Sequence, residues 1–108
     1  MSYAIFLDDE RLPGRDMGFS NVVIVRSVAD AKEVMTRRGA PQFISFDHDL
    51  GKGKPTGYDF AKWLVEQHLD GAIDLSGLSF YVHSQNPVGA ENIRMLLGQF
   101  IESITNPS

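Results

Sequence analysis

The sequence predicts an α/β fold, a small doubly wound parallel sheet of four strands ordered 2-1-3-4, and three observations lead there. Short apolar runs of strand length alternate with stretches of helical periodicity. Each helical stretch opens on a residue suited to cap it. Polar clusters then follow three of the apolar runs directly: Leu7-Asp8-Asp9-Glu10-Arg11 after Tyr3 to Phe6, Asp47-His48-Asp49 after Phe43 to Phe46, and His83-Ser84-Gln85-Asn86 after Leu78 to Val82. In an open α/β sheet ligands gather outside the carboxyl ends of the strands, so these three loops are where a function is to be sought.

Tyr3 to Leu7 is the first strand, and Val22 to Val25, rich in β-branched residues, is the second. Pro13-Gly14 and Gly18 interrupt any helical pattern between them, which predicts a loop over 9–21 holding at most a short helical turn and placed to cover the site. Ser27 caps a helix that carries Asp30 in its first turn and ends near Gly39, with Val28, Ala31, Val34 and Met35 on its apolar side. Arg37-Arg38 suits the negative end of that helix dipole. Pro41 leads into the third strand, Phe43 to Phe46. Thr56 and Asp59 repeat the capping pattern for a helix over 57–69, where Phe60, Ala61, Leu64, Val65 and His68 share a face. His68 is therefore read as a packing residue. The fourth strand is Leu78 to Val82. Asn86 as cap and Pro87 at the first helical position start the last helix, striped by Ile93, Leu96, Leu97, Phe100 and Ile104. Right-handed crossovers make strands 1, 3 and 4 neighbours, so Asp8, Asp9, Asp47, Asp49, His83 and Ser84 are expected in one crevice.

Composition narrows the function. A chain of 108 residues, 43% hydrophobic with its five prolines dispersed, is expected to form one domain over 1–108. With no cysteine, any metal site must use oxygen or imidazole. A net charge of −4 with scattered basic residues disfavours a broad nucleic-acid surface. The early acids argue against a signal peptide, and no apolar run approaches the roughly 20 residues of a membrane span, so a cytoplasmic protein without membrane contact is expected.

Four carboxylates in one crevice repel unless a cation intervenes, and a hard divalent ion, Mg²⁺ (or Mn²⁺), suits Asp9 and Asp47 with Asp8 or Asp49 in support. The alternative for each acid is turn capping or pairing with Arg11 and Lys52. Imidazole is the side chain suited to proton transfer near neutral pH, which makes His48 and His83 candidate general acid and base. Ser84 and Asn86 lie at the mouth of the last helix, whose free amides attract anions, so a small phosphorylated ligand fits there. The alternative is that Asn86 serves only as a cap. Gly51, Gly53 and Gly57 with Lys52 and Lys54 form a basic loop that matches no nucleotide-binding fingerprint and is placed as a lid.

Together these residues resemble a receiver domain: Asp8-Asp9 corresponds to its acidic metal pair, Asp47 to its phosphoacceptor, Thr56-Gly57 to the segment opening the next helix, and Ser84 to its phosphate-contacting hydroxyl. More closely, Leu7-Asp8-Asp9-Glu10-Arg11-Leu12-Pro13, Ser45-Phe46-Asp47-His48-Asp49-Leu50-Gly51, Thr56-Gly57-Tyr58-Asp59 and the string from Val82 to Ile93 resemble the divergent cyclic-phosphate processing receiver-like domains. That resemblance implies a flavodoxin-like fold and hydrolysis of small cyclic phosphates, such as cyclic nucleotides or the ADP-ribose cyclic phosphate left by RNA repair. The fifth strand of ordinary receivers, with its lysine, is expected to be missing, whereas His48 and His83 are additions to the receiver pattern. The implied roles are metal binding by Asp8, Asp9, Asp47 and Asp49, phosphate binding by Ser84, Asn86 and Thr56, proton transfer by the two histidines, and charge neutralisation by Arg11. Asp47 is either a metal ligand or a nucleophile. Two rival readings remain at this point: a phosphoacceptor without enzymatic activity, and a module that binds a protein partner through its acidic mouth.

Overall fold

A computed structural model describes residues 3–13 and 19–105. Along the chain run β1 (Ala4–Leu7), β2 (Val22–Val25), α1 (Val28–Arg38), β3 (Phe43–Phe46), α2 (Gly57–Leu69), β4 (Ser79–Val82) and α3 (Pro87–Thr105). The four strands form one all-parallel sheet in the expected order, β2-β1-β3-β4. The order reverses at β1, which leads leftward to β2, while β3 and β4 extend to the right. The switch point is therefore the gap between the ends of β1 and β3. Tyr3 and Leu78, expected inside strands, lie just before β1 and β4 and are buried there. Of the predicted covering loop over 9–21, residues 14–18 lie outside the described residues.

Strand alternation sorts the sheet's two faces. Ile5, Leu7, Val25, Ile44, Phe46 and Val82 join residues from all three helices in one buried core. The helices supply Val28, Ala31 and Met35 from α1, Phe60 and Leu64 from α2, and Ile93 and Leu97 from α3, so all three cover the same face. Their caps are those the sequence predicts. The Ser27 side chain accepts from Asp30 N, Thr56 and Asp59 form a reciprocal capping box, and Asn86 Oδ1 accepts from Gly89 N at 2.9 Å. His68 packs edge-on against Phe100 and accepts the Leu75 amide on Nδ1 at 3.0 Å, the structural part read for it.

On the other face Ala4, Phe6 and Ser45 are buried without a helix above them. Phe19, in the β1–β2 connection, stacks on Phe43 with ring centroids 5.0 Å apart, while Ile24 and Tyr81 at the flanks are exposed. No helix appears among the described residues of that connection.

The three central strands are in phase: Leu7 pairs with Phe46, and Phe46 with Val82. The ladder runs one step further, with Asp47 N donating to Leu7 O and His83 N to Phe46 O, both at 2.9 Å. Asp8, Asp47 and His83 thus leave adjacent strands at the same level and, by alternation, on the face of Phe6 and Ser45. The start of α2 closes tightly on this region. Gly57 N donates to His48 O, and a Cβ at Gly57 would stand 2.1 Å from the Asp47 carbonyl oxygen. Because that obstacle is backbone, Gly57→Ala is expected to cost about 2 kcal/mol or more, read as a fall in the denaturant midpoint.

Candidate metal and phosphate site

Asp8, Asp47 and His83 each present a ligand atom within 4.8 Å of the others, a set of two carboxylates and one imidazole. Asp8 and Asp47 are buried, and His83 is largely so. The Asp8 carboxylate is saturated. Its Oδ1 accepts the backbone amides of Glu10 and Arg11, both at 2.9 Å, and its Oδ2 meets Arg11 Nε at 2.9 Å and His83 Nε2 at 3.0 Å. Arg26 Nη1 donates to the Asp8 carbonyl oxygen and to that of Arg11, tying the turn down from the strand beside it. Burial alone would raise the Asp8 pKa, but the two amides, His83 and the Arg11 charge outweigh it and hold the carboxyl below its usual range.

Asp47 stands in the opposite condition. Its ion-pair partner among the described residues is Arg11 Nη2, at 3.7 Å. Burial, and then the negative charge of Asp8, push its pKa up despite the opposing charges of Arg11 and His83. One acid of the pair is fully compensated and the other is not, which is the electrostatic condition of a cation site.

His83 is fixed on three sides. Its Nδ1 lies 2.7 Å from Ser45 Oγ, its Nε2 faces Asp8, and its ring stacks on Phe6 with centroids 4.7 Å apart and planes within 4°. Neither Ser45 nor Phe6 was expected to take part in the site, although Ser45 opens one of the strings that carry the family resemblance and Phe6 ends the first apolar run. The available signal was a lone serine inside the otherwise apolar run from Phe43 to Phe46.

A cavity of about 400 Å³ opens beside the pair, a size suited to a small molecule. Asp8, Asp9, Glu10, Asp47 and Asp49 make its wall acidic, while Arg11 and Lys52 supply cations and Gln85 a neutral polar edge. Of the residues expected in one crevice, Asp8, Asp9, Asp47 and Asp49 line this cavity, with Arg11 beside them, whereas His83 and Ser84 are not on its wall. Asp9 lines the cavity without joining the Asp8–Asp47–His83 cluster. Asp49 turns its carboxylate to His48 Nδ1 at 2.9 Å and to Asn86 Nδ2 at 3.4 Å, and the His48 bond leads the causes that lower its pKa.

The two histidines separate because adjacent residues leaving a strand face opposite ways. Asp47 faces the cavity, so His48 faces the helices, where its ring fills the space beside Gly89 at the start of α3. Ser84 Oγ accepts from Asn86 N at 3.0 Å, and Asn86 Oδ1 caps α3. The Thr56 side chain is engaged with Asp59 in the cap of α2. The hydroxyls and amide expected to grip phosphate are thus occupied in local turns, and none of the three lines the cavity.

The chain matches the cyclic-phosphate processing receiver domain over residues 3–99, and it belongs to that family. No curated protein and no solved structure matches it at a significant level. No helix among the described residues is long and apolar enough to cross a membrane.

A raised folded pKa at Asp47 means that the folded state binds its proton more tightly than the unfolded chain does. The resulting penalty is absent at low pH and grows as pH rises from about 3.9 through the folded value. In chelator at neutral pH, Asp47→Asn should therefore raise the melting temperature, and the gain should shrink toward pH 4. Calorimetric scans across pH check both the sign and the trend.

Proposed function

We propose that this chain is a metal-dependent phosphoesterase that opens a small cyclic phosphate, acting in the cavity beside Asp8 and Asp47. The observation that carries the reading is the buried Asp47 carboxylate, less fully compensated than the adjacent, fully bonded Asp8, in a chain of a family tied by name to cyclic-phosphate processing. The donor set of Asp8, Asp47 and His83 fits a divalent ion, Mg²⁺ or Mn²⁺, and such an ion supplies Lewis-acid polarisation of the phosphoryl group when bound.

The remaining work falls to the chain's own side chains. Arg11 is about half exposed and already touches both acids, so it can turn from them toward the substrate's non-bridging oxygens and offset the charge that grows as water attacks phosphorus. Lys52, on the glycine-bearing loop at the cavity wall, adds a second cation. As the ring P–O bond breaks, the departing ribose oxygen needs a proton and the attacking water must lose one. Both His83 nitrogens are already bonded, to Ser45 and to Asp8. His48 keeps Nε2 free of hydrogen bonds among the described residues, and its Nδ1 is bonded to Asp49 on the cavity wall. In this reading Asp49, which lines the cavity, meets the reacting proton, and His48 stands behind it on the helix side, bonded to its carboxylate and able to relay the proton.

A specific observation also supports the phosphoacceptor reading. Asp47 occupies the receiver's acceptor position and holds its carboxylate toward the cavity, so acetyl phosphate would leave a stable adduct on Asp47 if the chain were such a protein.

Incubating the protein with cyclic nucleotides and ADP-ribose cyclic phosphate, with and without Mg²⁺ or Mn²⁺, tests the proposal by phosphate-ester product analysis. Turnover is expected only with metal. Asp47→Asn should lower it by about 10³-fold and Arg11→Ala by about 10²-fold. Failure to open any cyclic phosphate under either ion would reject it. A second expectation concerns proton transfer: His48→Gln should lower kcat by roughly 10²-fold, with KM little changed.

A further inference from the structure

We infer that the site is a mixed nitrogen and oxygen centre, in which His83 Nε2 is a direct ligand oriented by the buried Ser45, and that it therefore selects a first-row transition ion such as Mn²⁺ over Mg²⁺. The inference rests on the metal-binding half of the proposed function and specifies its ligands.

Distances within the cluster support direct ligation. His83 Nε2 and Asp8 Oδ2 lie 3.0 Å apart, and the three donor atoms fall within 4.8 Å of one another. Two neighbouring ligands on an octahedral ion with bonds of about 2.1 Å are themselves about 3.0 Å apart. No strand movement is needed to close a coordination sphere, because β1, β3 and β4 already hold the three residues at one level. Arg11 Nε occupies the neighbourhood of the same Oδ2 at 2.9 Å, and its side chain is exposed enough to leave.

Ser45 is the less expected part. A metal-ligating imidazole usually donates its other N–H to an oxygen, which fixes both the tautomer and the ring plane. Ser45 Oγ sits 2.7 Å from Nδ1, is 5% exposed as a residue, and is carried on the strand that also supplies Asp47. A hydroxyl can reverse its role. It donates to Nδ1 when Nε2–H is directed at Asp8, and accepts from Nδ1–H when Nε2 must offer a lone pair. Phe6, stacked on the ring, leaves the imidazole little rotational freedom. Carboxylates alone suit magnesium, whereas imidazole shifts a site toward transition ions.

Electron paramagnetic resonance on the full chain tests this without any substrate. Loss of the free Mn²⁺ signal measures binding, and echo-envelope modulation reads a coordinated ¹⁴N nucleus. Wild type should bind Mn²⁺ at least about tenfold more tightly than Mg²⁺ in competition, with nitrogen modulation that changes when the protein is labelled with ¹⁵N-histidine. His83→Gln should abolish the modulation. Ser45→Ala should weaken Mn²⁺ binding by about 10- to 100-fold, and Ser45→Thr should restore it. The labelling arm needs no mutant, so a variant that misfolds does not spare the inference. Bound Mn²⁺ without histidine nitrogen coupling, equal affinity for the two ions, or no binding at all would each overturn it. If nitrogen coupling is found but no cyclic phosphate is opened, only the proposed function fails.

Discussion

Two carboxylates brought together at the ends of neighbouring strands constrain everything else in this site. Asp8 and Asp47 follow β1 and β3 at the switch point of the sheet, and both are buried. Like charges so placed must be compensated or one must neutralise. The chain divides the compensation unequally: Asp8 takes two amides, Arg11 and His83, while Asp47 receives a longer contact to Arg11. Arg11 is a provisional counter-ion, since it is tethered by its own turn yet half open to solvent. Such a group can hold the acids together before a ligand arrives and then turn to the ligand's anionic oxygens.

Parallel pairing in phase converts that electrostatic condition into geometry. With Leu7, Phe46 and Val82 level, the residue after each strand meets its neighbours across the roughly 4.8 Å that separates adjacent strands. The pleat then decides which side chains meet. It sends Asp8, Asp47 and His83 one way, together with Phe6 and Ser45, and sends His48 to the helix side against Gly89. Capping also commits atoms locally, since the oxygen that accepts from a helix-end amide is held there. Asn86 and Thr56 are anchors of α3 and α2, and in that role they hold the loops that frame the cavity.

Most of the fold was legible because its signals are local. Ser27, Thr56 and Asn86 announce their helices, the four apolar runs announce strands, and crossover handedness leaves few ways to order them. The acids of the site were legible for the same reason, as each follows a strand directly. What one sequence does not display is the pairing of side chains across strands. Ser45 matters because it lies 38 residues from His83 in the chain and 2.7 Å from it in space, and nothing local to Phe43–Phe46 points to that imidazole. The separation of the two histidines depends on where each strand's alternation ends, and a shift of one residue reverses it.

The placement of polar groups also divides the site into a rigid part and an adaptable one. Asp8, Asp47 and His83 stand at the last ladder positions of the central strands, held by backbone bonds, by Ser45 and by the Phe6 ring, so their spacing is set by the sheet itself. Arg11 and Lys52 come from loops at the cavity wall, and Arg11 is the one already engaged with the acids. Charge-stabilising chemistry gains from groups fixed before the reaction, because they cost no reorganisation when charge moves. Cations on loops meet the other requirement, admitting and releasing a charged ligand. A sheet that fixes the acids and loops that carry the cations therefore reconcile tight positioning with access, in a chain whose main apolar cluster, shared with the three helices, lies on the opposite face.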